Sequence, residues 1–75
     1  MMRVISNEVR AGDILTRMVC GNRIPAFTVK RVQYRPRTWD GSYYLWDVES
    51  LHSKYNGVTR LSEFSGEKVW ILREE

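Results

Sequence analysis

The chain has one cysteine, Cys20, and one histidine, His52, in 75 residues. A single thiol rules out an internal disulfide. One thiol and one imidazole are too few for a structural zinc site without carboxylates or a second chain. A Cys20–His52 nucleophile and base would still lack a third group to orient the imidazole. Only two prolines are present, and the five glycines are scattered one per turn. No Pro-rich linker and no Gly-rich phosphate loop follows from that spacing. No apolar run approaches the roughly 18 residues needed to span a bilayer. Met1–Glu8 has no signal-peptide core and meets an acid early. These absences point to a cytoplasmic, non-enzymatic protein with no cofactor, no metal and no membrane segment.

Turn signals and strand formers are what the sequence does contain. Asp40-Gly41 and Asn56-Gly57 favour two-residue hairpin loops, because both central positions take positive φ cheaply. Between them lies Tyr43–Glu49, whose alternation puts Tyr44, Trp46 and Val48 on a core face and Tyr43, Leu45, Asp47 and Glu49 on a more polar one. Asp47 and Glu49 share a face and are expected to pair with cations on a neighbouring strand. Further strands are predicted at Arg3–Ile5 (or an entry arm there), Asp13–Val19, Phe27–Tyr34, Val58–Leu61 and Lys68–Arg73. A Gly-Asn turn at 21–22 would close the second of these, and Pro25 is expected at the first residue of the next. Phe27 and Val29 face one way and Val32 and Tyr34 the other, which predicts either a β-bulge near Lys30-Arg31 or a long strand that bends from one side of a barrel to the other. Ser62–Gly66 reads as a short turn with Phe64 tucked inward. Cys20 reads as a small apolar filler and His52 as solvated. No stretch keeps a helical period. The fold expected for residues 1–75 is one all-β domain, a half-open antiparallel barrel or meander of five to six strands.

The run Val9-Arg10-Ala11-Gly12-Asp13-Ile14-Leu15, the hairpins after it and the closing strand Val69-Trp70-Ile71-Leu72 resemble small SH3-like β-barrel domains. In size and style the chain also resembles orphan early-gene proteins of bacteriophages, which would place it in a host cytoplasm. The resemblance implies a scaffold used for peptide binding, nucleic-acid binding or subunit contacts, and it implies no catalytic residues.

Charge is distributed unevenly. The net charge is +3, yet residues 1–39 carry eight cations against two acids and residues 40–75 carry four against seven. The asymmetry marks either a polyanion-binding face or two halves that pair across the sheet. Arg23, Lys30, Arg31, Arg35 and Arg37 occupy one acid-free span, with Tyr34, Trp39, Tyr43 and Tyr44 within or just beyond it. Trp39, beside a turn, is expected to be at least half exposed. Lys30, Arg31, Tyr34, Arg35, Arg37, Trp39 and Tyr43 are therefore the candidate binding residues. Tyr, Trp and Arg together mark protein-interface hot spots, and cations with stacking rings also bind single-stranded nucleic acid. The modest net charge favours a protein-interaction module that binds a host factor. The alternative is a small basic nucleic-acid-binding barrel, and a homo-oligomer is a third state open to so small a core.

Overall fold

The computed structural model describes residues 1–36, 39, 41–51 and 58–73. Six strands run through them: β1 (Met2–Ile5), β2 (Ile14–Val19), β3 (Asn22–Arg35), β4 (Tyr43–Ser50), β5 (Val58–Phe64) and β6 (Lys68–Leu72). A 3-10 turn, Ser6–Glu8, follows β1, and the described residues contain no α-helix. Every neighbouring pair is antiparallel, in one open sheet of order β1-β6-β2-β3-β4-β5. The all-β expectation therefore holds.

That order cannot lie flat. β5 and β6 are four strand spacings apart along the sheet, about 19 Å if it were planar. Only Ser65-Gly66-Glu67 joins them. The Glu67 N–H donates to the Phe64 carbonyl at 3.3 Å, and such a turn holds its ends within about 7 Å. The sheet must roll until its β5 edge comes up to β6. Ser6 and Asn7 secure the turn that makes this crossing. The Ser6 N–H donates to the Glu67 carbonyl and the Ser6 hydroxyl to the Phe64 carbonyl, both at 2.7 Å. Asn7 Oδ1 accepts from the Gly66 N–H at 2.8 Å, and Asn7 Nδ2 donates to Ser65 Oγ at 2.8 Å.

The concave face of the roll is the core. Val4, Leu15, Val29, Trp46, Val48 and Ile71 are buried there, with Phe27, Val32, Tyr44, Leu61 and Val69 packed against them. Two bulges in β3 make this packing possible. One register shift falls between Val29 and Arg31, the first of the two readings that the alternation allowed. It returns Val32 to the core side after Val29, so both halves of a long strand feed one interior. The second sets Leu15 and Thr16 opposite Phe27 and Pro25, leaving Ala26 as the extra residue.

Several local expectations are corrected. β3 ends at Arg35 and β4 starts at Tyr43, and Asp40 of the expected Asp40-Gly41 turn lies outside the described residues. Pro36, which has no N–H to donate, stands where the ladder stops. The Asn56-Gly57 turn and His52 lie outside the described residues. The tight two-residue turn is Cys20-Gly21, not Gly-Asn, with φ of 49° and 80°, the positive pair that type I′ geometry demands. Cys20 is exposed there rather than filling space. Pro25 is inside β3, beside the Ala26 bulge, where β4 has not yet begun to pair and one side of the strand lacks a ladder. Phe64 does not tuck inward. It extends β5 opposite Tyr43 and is 53% exposed. On the outer face of β6, Trp70 is exposed.

An ion pair between buried Asp13 and half-buried Arg73 joins the start of β2 to the end of β6. Asp13 is buried, and its carboxylate accepts from Arg73 Nε at 2.9 Å and Arg73 Nη2 at 2.8 Å, a bidentate fork. It also accepts from the Arg10 N–H at 2.9 Å, while Arg73 Nη2 reaches the Glu8 carbonyl at 3.0 Å. Burial by itself would raise the Asp13 pKa. The hydrogen bonds from Arg73 and Arg10 and the charges of both outweigh burial and hold it below the ordinary 3.8. The same contact raises the Arg73 pKa. Asp13 therefore binds a proton more weakly folded than unfolded. Its stabilisation is complete above the unfolded value and is lost as pH falls through the folded one. Thermal melts are expected to hold level down to about pH 5 and to decline below about pH 4. Asp13→Asn should cost about 2–3 kcal/mol at pH 7 and flatten that acid limb. An unchanged acid limb in Asp13→Asn would show that another carboxylate carries it.

Candidate functional site

The cations that lie together in the sequence separate in the fold. β3 carries Arg23 near its start and Arg35 at its end, about 40 Å of extended chain apart. Two surfaces result.

The first is the far end of the β3–β4 hairpin. Trp39, in the connection, is 86% exposed, beyond the half-exposure expected of it. Tyr34 is 53% exposed, and its ring meets that of Tyr44 at 5.1 Å between centroids, tilted by 52°. Arg35 is exposed and donates from Nη2 to Gln33 Oε1 at 2.9 Å. Arg31 is exposed and stands opposite Asp47 in the ladder. Arg37 lies outside the described residues. Tyr43 starts β4, half-buried, and with Leu45 and Phe64 it lines a shallow hollow of about 430 Å³ on the convex side. Further along this side the charges cancel. Lys30 Nζ lies 3.5 Å from Glu49 Oε2, and Arg60 Nε lies 2.9 Å from Asp47 Oδ1. Asp47 and Glu49 thus pair with neighbouring strands, as expected, and Lys30 is the one candidate binding residue whose charge is matched by a described acid.

The second surface did not emerge from the sequence. A cleft of about 510 Å³ opens where β5 approaches β6. Leu15, Phe27, Trp46, Leu61 and Val69 form its apolar part. Arg3, Arg23 and Lys68 line it on the β1–β6 side and Glu63 on the β5 side. The guanidiniums of Arg3 and Arg23 lie over the Trp70 ring, 5.7 and 5.6 Å from its centroid, within cation–π range. Thr16 Oγ1 accepts from Arg23 Nη1 at 3.3 Å and donates to the Trp70 carbonyl at 3.0 Å, which ties the β2–β3 hairpin to β6. Trp46, 3% exposed, contributes the cleft's most unusual group. Its Nε1 is the only buried side-chain nitrogen or oxygen among the described residues without a hydrogen-bond partner. A donor in that state costs about 1–3 kcal/mol until something accepts from it.

No family model, curated protein or solved structure matches this chain. Its chemistry rests on its own geometry. Among the described residues no three His, Cys, Asp or Glu side chains gather as metal ligands would, and no helix is long and apolar enough to cross a membrane. Arg3 and Trp70 were invisible as a pair because their contact joins the two ends of the chain across the β1–β6 ladder. The one local sign was the Trp70 ring in a strand with apolar residues on both faces.

The three tryptophans thus separate by role, and stability measurements will distinguish two of them. Trp39→Ala should leave urea unfolding within about 0.5 kcal/mol of the parent. Trp46→Ala should cost about 3–5 kcal/mol. A large loss from Trp39→Ala would mean that its ring is buried in solution.

Proposed function

We propose that this protein is a non-enzymatic protein-interaction module that docks a partner through the distal end of the β3–β4 hairpin. The observation that carries this reading is Trp39, 86% exposed, at the same end of the sheet as exposed Tyr34 and Arg35. Leaving a Trp in water forfeits roughly 2–3 kcal/mol of hydrophobic stabilisation, and Trp, Tyr and Arg are the residues that interfaces use as anchors. Phe64 and Tyr43 extend the apolar area alongside. A protein partner suits this end better than a phosphate backbone does, because Lys30 is already paired with Glu49 and the Asp47–Arg60 pair flanks Arg31. The rolled sheet serves as the rigid support, and we read it as an SH3-like barrel left open between β5 and β6. The lone exposed Cys20 fits a reducing cytoplasm.

The docking residues are tested by affinity capture with nuclease present, followed by titration of the captured partner. Trp39→Ala should weaken binding by more than tenfold, and Tyr34→Ala by a smaller factor. Trp39→Ala with undiminished affinity refutes this end as the docking surface. Capture that disappears on nuclease treatment, with affinity falling steeply as salt rises, would replace the protein partner with a nucleic acid.

A further inference from the structure

We propose that the cleft between β5 and β6 binds a nucleoside phosphate, either as a free nucleotide or as the phosphorylated end of a single strand. Its phosphate would rest on Arg3, Arg23 and Lys68, and its base against the apolar wall that includes Trp46. Four observations lead to this ligand. Arg3, Arg23 and Lys68 form no ion pair with any described residue, although Asp47, Glu49 and Asp13 each hold a cation elsewhere. With Glu63 on the facing side the cleft carries a formal +2, the complement of a phosphate monoester, which bears about −1.5 to −2 at pH 7. A single carboxylate would leave part of that charge unmatched. Trp46 is among the residues lining the cleft, and its buried Nε1–H has no acceptor among the described residues. An acyl chain there would leave the N–H unsatisfied, whereas every base offers a carbonyl or ring-nitrogen acceptor. Glu63 supplies an acceptor for a base N–H on the other side. Finally, the cleft's volume of about 510 Å³ lies in the range that small-molecule sites occupy.

The guanidiniums are also arranged before any ligand arrives. Both lie over the Trp70 ring, and Arg23 is held further by Thr16 Oγ1. Planar forks fixed in this way lose little freedom on meeting phosphate oxygens. Its cations Arg3, Arg23 and Lys68 are not among the docking residues, although Ser62 and Glu63 line both this cleft and the hollow beside Tyr43 and Phe64.

The test is a titration of the full chain with AMP, GMP, CMP and UMP, followed by the indole N–H resonances and intrinsic fluorescence at low and moderate salt. At least one nucleotide is expected to bind and to shift the Trp46 Nε1–H resonance. The matching nucleoside and inorganic phosphate should each bind at least tenfold more weakly. Arg3→Ala with Arg23→Ala should reduce affinity more than tenfold, and Trp39→Ala should not change it. If the double variant fails to fold, Lys68→Glu makes the same measurement at an exposed position. A 5′-phosphorylated oligonucleotide that outcompetes the mononucleotide identifies a strand end as the source. Equal affinity identifies the free nucleotide. Three outcomes would overturn the proposal: no nucleotide binding at millimolar concentration in low salt, binding that survives the cleft variants, or an acidic peptide that binds the cleft more tightly than any nucleotide.

Discussion

Three residues, Ser65-Gly66-Glu67, impose the constraint on which the rest of this molecule depends. They must carry the chain from the edge strand β5 to β6, which lies on the far side of the sheet. No flat sheet permits so short a crossing. Rolling is therefore a geometric requirement, and hydrophobic burial follows the shape it sets. Gly66 takes φ of 87° at the turn, a conformation that side chains resist. The buried Ser6 hydroxyl and the Asn7 side-chain amide then cap the turn's polar groups, which would otherwise lose water without replacement.

The roll explains both the core and its imperfection. Its concave side gathers Val29, Val48, Trp46 and Ile71 from three different strands into one interior. Without a β5–β6 ladder its side remains open, and a cleft persists where a closed barrel would have packed side chains. The Asp13–Arg73 fork fixes the end of β6 against the start of β2. It therefore holds one wall of that cleft in place while contributing nothing to its lining. Among the described residues, the ion pairs of Asp13, Asp47 and Glu49 join strands of the sheet, and the three cations of the cleft have no acid partner.

The fold was largely legible in the sequence, and particular residues show why. The mismatch in phase between Phe27-Val29 and Val32-Tyr34 allowed few solutions, and the bulge at Lys30 is one of them. Trp46 and Val48 were recognisable as core from alternation alone. Turn positions were less legible. Asp40-Gly41 is a strong local hairpin signal, yet the ladder had already ended at Arg35 before Pro36. Cys20-Gly21 carries no common hairpin signature, but the register Val19 to Asn22 forces positive φ on both residues. Phe64 looked like a core residue because it is large and apolar. Its exposure follows from pairing with Tyr43 on the convex side of β5.

The candidate site was legible only by half. Trp39 was recognisable as exposed because a residue beside an Asp-Gly turn signal, shortly after Pro36 and Arg37, has no interior to enter. Arg3, Trp70 and Lys68 carry no such local sign. What the sequence alone determined is the periodicity, the bulge and the charge asymmetry, since each depends on neighbours within a few residues. Which cations meet acids and which meet an aromatic ring was decided by the tertiary structure alone. That outcome depends on β1 lying beside β6, a contact between chain ends that no local pattern encodes.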